Sequence, residues 1–184
     1  MAIELKKGQR TDIGLQRLGV GLGWNANTGS SAHPYDLDAT AFLLSDSGKL
    51  VSDSFFVYYN NPASPDGAVK SSGDNTTGEG DGDDETLFVE LSKLDPRVTS
   101  IVFAVSIYEA EERRQNFGQV RNSSIRIYDQ SNGQEICKYE LDEDFSIETA
   151  IEFGRLYKRG DAWRFEATGI ASPGGLGGLL AKFQ

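Results

Sequence analysis

Apolar and polar positions alternate strictly from Arg17 to Trp24, with Leu18, Val20, Leu22 and Trp24 on one side. A period of two is the signature of a half-buried strand. The opposite side is Gly19, Gly21 and Gly23, which leaves room for close backbone approach. The same alternation returns at Leu87, Val89 and Leu91, at Ile125, Ile127 and Asp129, and at Cys137, Tyr139 and Leu141. The stretch Tyr35 to Leu44 predicts a strand whose first residues, Asp36 and Asp38, project from one face. Two runs are continuously apolar, Phe55–Tyr59 and Ser100–Tyr108. They predict strands buried on both faces, the second of them central in its sheet. Glu152–Tyr157 and Ala162–Ala167 form a last hairpin around Lys158-Arg-Gly-Asp161, with Phe153, Trp163 and Phe165 sharing one pattern.

Turn chemistry separates these runs at Asp46-Ser-Gly48, Ser64-Pro-Asp-Gly67 and Ser131-Asn-Gly133. Glu109 to Asn116, ended by Gly118, reads as a polar turn or a single helical turn, and Asp142 to Ala150 as acid caps with a short helix. The tail from Pro173 to Phe183 mixes glycine with apolar residues, and is expected to cover an open edge or groove of a sheet or to fray. About nine or ten short strands joined by loops spell an all-β fold, an antiparallel β-sandwich. At 184 residues the chain suits one domain, 1–184.

Charge changes this picture at one place. The net charge is −10, yet Ser71 to Ser92 holds seven acids and no Lys or Arg, which leaves −3 for the rest of the chain. The acidity belongs to a site more than to the surface. With no basic stripe, nucleic acid is excluded as a partner. No run reaches transmembrane length, and Met1-Ala-Ile-Glu-Leu-Lys-Lys-Gly8 lacks the apolar region of a secretion signal, so a cytoplasmic protein is expected. The single cysteine, Cys137, excludes an internal disulfide and reads as core. Asn75-Thr-Thr77 and Asn122-Ser-Ser124 fit the glycosylation pattern only by chance in such a protein.

The acidic stretch Gly73 to Glu85 reads G-D-N-T-T-G-E-G-D-G-D-D-E, with six carboxylates and four glycines. Like charges so close repel, and some would protonate unless a cation neutralises them. Hard divalent cations prefer oxygen ligands, and glycine lets a loop curl until its oxygens converge. A calcium-binding loop is therefore expected, and a solvated acidic loop is the alternative. It is no EF-hand: counted from Asp81, the sixth position is Thr86, where that motif turns on glycine. Nor is it a calcium β-helix, since Gly78–Asp83 is not repeated.

Calcium takes six to eight oxygens, so other donors must join from the same end of the fold. Asp36 and Asp38 open one strand, Asn60 and Asn61 close another, and Glu109 follows the central one. The surplus of carboxylates suggests two neighbouring ions. Other chemistries lack parts. The lone His33 cannot anchor zinc or a Ser-His-acid triad, Gly48-Lys49 is no P-loop, and Gly19-x-Gly-x-Gly23 is no dinucleotide fingerprint.

The segments Tyr35-Asp-Leu-Asp-Ala39, Tyr58-Tyr-Asn-Asn61, Ser64-Pro-Asp-Gly67 and Gly73–Glu85 resemble the TerD family of tellurite-resistance and bacterial stress proteins. Glu109-Ala-Glu111, Asn116-Phe-Gly-Gln-Val120 and Ala162-Trp-Arg-Phe165 do the same, so the resemblance runs from Gly19 to about Leu180. It implies a non-enzymatic calcium-binding β-sandwich, cofactor Ca2+, with protein partners in a stress-response complex and only indirect association with membranes. Carried over by position, the implied ligands are Asp36, Asp38, Asp74, Asn75, Asp83, Asp84, Glu85 and Glu109, with Asn60, Asn61, Asp66 and Asp81 as second choices. Two departures stand out. Asn25 follows Trp24 where many members carry Asp, and Tyr108 precedes Glu109 where members often carry His. Two other classes compete: a metal-assisted phosphoester hydrolase or paired-carboxylate acid–base enzyme, and a module that grips carbohydrate or anionic lipid through calcium.

Overall fold

The computed structural model describes residues 1–25, 33–73, 82–141, 143 and 145–184. The strands in chain order are β1 (Ile3–Leu5), β2 (Arg10–Ile13), β3 (Arg17–Gly23), β4 (Leu37–Leu44), β5 (Phe56–Val57), β6 (Val69–Ser71), β7 (Glu85–Glu90), β8 (Ser100–Ile107), β9 (Ser124–Asp129), β10 (Glu135–Glu140), β11 (Ala150–Arg159) and β12 (Ala162–Ser172). Two short helices interrupt them, α1 (Ala110–Arg113) and α2 (Gly175–Phe183). One six-stranded sheet runs β1-β10-β9-β3-β7-β6, the other β2-β12-β11-β8-β4-β5. Every pairing is antiparallel except β1 with β10, which is parallel.

The main core lies between the sheets. Leu18, Val20 and Leu22 of β3 enter it from one side, and Ile101, Phe103, Val105 and Ile107 of β8 from the other. The glycines of β3 do face away, and what fills their space is specific. A methyl group at Gly19 would sit 2.0 Å from the Tyr128 ring, and one at Gly21 would sit 2.1 Å from the Asp83 carboxylate.

The run at 55–59 is shorter than its composition predicts. Phe55 closes a 3-10 turn, only Phe56 and Val57 pair with β4 at the sheet edge, and Tyr59 is exposed. Tyr58 is drawn into a tight bridge with Asn61, which ends the strand. No helix occurs among the described residues of 142–150. There the Glu148 carboxylate accepts from the Ser146 and Ile147 N–H groups, and β11 begins at Ala150. Asp142, read as a cap, lies outside the described residues.

The tail is helical. α2 lays Leu179 and Phe183 on Phe42, Leu44, Phe56, Val102 and Ala104, the outward side chains of β4, β5 and β8. This second cluster explains why β4 is buried along its whole length. Central β8 has the inner core on one face and the α2 cluster on the other, as a continuous apolar run requires.

Candidate functional site

Strand direction gathers the acidic residues at one end of the sandwich. β3 finishes beside the start of β7, with Leu22 paired to Glu85, and β4 begins beside the end of β8, with Leu37 paired to Ile107. Glu85 joins the two sheets: its Oε2 accepts the Ala39 N–H of β4 at 2.6 Å. Asp84 is fixed by the Trp24 N–H, which donates to Oδ2 at 2.7 Å. Asp36 precedes β4, and its carbonyl accepts the Tyr108 N–H at 2.8 Å, so the start of β4 is clamped to the end of β8. Glu109 follows in the left-handed region, φ 50°.

Asp36, Asp38 and Glu85 are all buried carboxylates. Asp38 and Glu85 line one cavity of about 120 Å³ with Ala39, Tyr59, Pro62, Ser71 and Gly73. Burial pushes the Asp84 carboxyl above its ordinary range, against the Trp24 hydrogen bond and with the neighbouring Asp83 charge. Burial and the Asp38 charge likewise raise the Tyr59 hydroxyl. Charge held out of water needs a partner.

Other predicted residues stand elsewhere or are engaged. Both Asp83 oxygens accept from Arg126, at 2.8 and 2.9 Å, over the gap left by Gly21. Asp66 sits at the opposite end, beyond the start of β6. There it accepts from Ser64 Oγ (2.6 Å), the Ala68 N–H (2.9 Å) and the Asp95 N–H (2.9 Å), so it organises a turn. The Asn61 side-chain NH2 donates to the Ser54 and Phe56 carbonyls and Asn60 is an exposed turn residue, the two standing between Tyr59 and Pro62, which line the cavity of Asp38 and Glu85. Asp74, Asn75 and Asp81 lie outside the described residues.

Among the described residues no three His, Cys, Asp or Glu side chains form a cage by themselves. The donor set nonetheless suits a hard cation: Asp36, Asp38, Asp84, Glu85 and Glu109 present only oxygen. Further donors would have to come from 74–81, which carries Asp74, Glu79 and Asp81.

Three features of this end escaped the sequence. Arg113 bonds Glu109 and pairs with Asp36, Arg126 holds Asp83, and Tyr59 lines the cavity of Asp38 and Glu85. A signal existed for the first alone, since Glu109 and Arg113 are four apart, the spacing of a helical ion pair.

Comparison with known proteins adds four findings. The TerD domain family matches residues 1–183. A tellurium resistance protein TerD of Alcaligenes sp is 44% identical over 100% of this chain and 97% of its own. General stress protein 16U of Bacillus subtilis (strain 168) is 43% identical over the same shares. In structure, the chain superposes on a homologue of telluride resistance protein (TerD) from Streptomyces coelicolor A3(2) with a TM-score of 0.71 at 21% identity, over 93% of this chain and 97% of that one. That likeness establishes the fold.

Proposed function

The chain belongs to the TerD family, and from that premise we propose that it is a calcium-binding stress-response protein that acts as a sensor or scaffold without catalysis. The observation that carries the proposal is the placement of Asp36, Asp38, Asp84, Glu85 and Glu109 at one end of the sandwich, from three separate strand ends. Buried carboxylates of one sign repel unless a cation is shared among them. The sequence between Gly73 and Gly82 carries three further acids, Asp74, Glu79 and Asp81. A site assembled from several loops has variable geometry, which suits calcium better than the strict octahedron of magnesium.

Stress response, with resistance to tellurium compounds as its setting, comes from the names of the relatives. Among the described residues no helix is long and apolar enough to cross a membrane. We place the protein in the cytoplasm, where calcium loading would alter the surface offered to protein partners.

The test is thermal unfolding in chelator against millimolar calcium. A ligand present at about a hundred times its Kd and bound only by the native state adds about 2.7 kcal/mol, so Tm rises by roughly 5–10 °C for a chain of this size. Equal melting curves under the two conditions would refute calcium binding. Turnover of a phosphoester that vanishes in Asp38→Asn would replace the scaffold with a hydrolase.

A further inference from the structure

We propose that Arg113 is a built-in counter-ion which a bound divalent cation must displace, so that loading of this site is an exchange of guanidinium for metal. The inference rests on the calcium reading above and concerns the half of the site made by Asp36 and Glu109. Two carboxylates from different elements already share one positive group there. Arg113 Nε and Nη2 donate to Glu109 Oε2 at 3.2 and 3.1 Å, and Nη1 lies 3.6 Å from Asp36 Oδ2. The guanidinium carbon stands 5.2 Å from the Tyr108 ring centroid, and the side chain is only 19% exposed.

The backbone holds the group where it is. α1 is a single turn between two left-handed residues, Glu109 and Arg114, and the Arg113 N–H donates to the Glu109 carbonyl at 2.9 Å. Beyond it, Gln115 Nε2 donates to the His33 and Pro34 carbonyls at 3.0 and 3.2 Å. That tether keeps α1 against the chain leading into β4, and with it Arg113 against Asp36.

A divalent ion on Asp36 and Glu109 would sit within a few ångströms of a partly buried guanidinium. Like charges at that range repel strongly where water screens poorly. Arginine cannot shed its proton, so its only response is to move. Tyr108 offers the aromatic face that makes the metal-free position favourable. The consequence is a lowered affinity and a metal-free form that stays folded, as a sensor needs.

Calcium titration calorimetry on metal-free wild type and Arg113→Gln tests the exchange, together with NMR of the wild-type protein labelled at arginine Nε. The variant is expected to bind calcium roughly three- to tenfold more tightly. In the wild type, the Arg113 Nε–H signal, bonded to Glu109 in the metal-free form, is expected to shift at saturation. Equal or weaker binding by the variant, with normal binding by the wild type, would overturn the exchange and leave the calcium reading standing. An unmoved Nε–H signal in calcium-saturated wild type would do the same, and it decides the matter if the variant does not fold. No heat from the wild type would remove the calcium reading itself.

Discussion

Glu85 holds a double position, tying β7 to β4 through the Ala39 N–H while presenting charge to the cavity it shares with Asp38. Glu85→Gln keeps an acceptor and removes the charge. The protein should stay folded and lose most of its calcium-induced rise in Tm, read by differential scanning fluorimetry. Asp66→Ala makes the contrasting case. Three donors lose their acceptor, costing about 1–3 kcal/mol in urea denaturation, while the calcium response is unchanged. Cys137 gives a third check: buried in apolar surroundings, its thiol is pushed up to about 12, so it should resist a thiol reagent until the protein unfolds.

These residues also mark how far sequence reasoning reaches. Asp36, Asp38, Asp84 and Glu85 were legible as one group, because strand starts and ends follow from alternation. The place of Asp83 was not. Its carboxylate lies over Gly21 and meets Arg126 from a third strand, a contact that depends on which strands are neighbours. The place of Asp66 was illegible for a related reason, since an acid in a Ser-Pro-Asp-Gly turn looks alike whichever end of the sheet the turn occupies.

At the scale of elements, α2 is the least expected. Three glycines in nine residues lower its intrinsic helix propensity by nearly 1 kcal/mol each, so local preference alone argues against a helix. Tertiary burial decides instead: Leu179 and Phe183 find an apolar face on β4, β5 and β8. Removing that contact should therefore be costly. Leu179→Ala, at a side chain only 2% exposed, is expected to destabilise the protein by about 2–4 kcal/mol in chemical denaturation. The strands were easier to read. β3, β7, β8, β9 and β10 follow their alternation or apolar runs, whereas β1, β2 and β6 are three or four residues long, too short to carry a periodic signal.

Across the whole molecule, charge is sorted by place. The acidic end sets Arg113 and Arg126 among several carboxylates, while the outer face of the β12 sheet gives one glutamate two arginines. Glu166 bonds Arg155 Nε at 2.8 Å and Arg10 Nη2 at 3.0 Å. Burial pushes its carboxyl up, but the two arginines outweigh that and leave it below the ordinary range. A lowered native pKa contributes stability above the unfolded glutamate pKa of about 4.3 that is lost as pH falls through the native value. Because both arginines are about half exposed, Glu166→Gln should cost only about 1 kcal/mol at pH 7. Its stability should converge on that of the wild type in acid, as urea melts at the two pH values would record.

The central claim concerns the acidic end, and a crystal structure grown in millimolar calcium tests it most directly. We predict cation density contacted by oxygens of Asp36, Asp38, Asp84, Glu85 or Glu109 at about 2.3–2.6 Å, in a shell of roughly six to eight ligands. Density showing only water among these carboxylates, at a calcium concentration that leaves Tm unmoved, would contradict it.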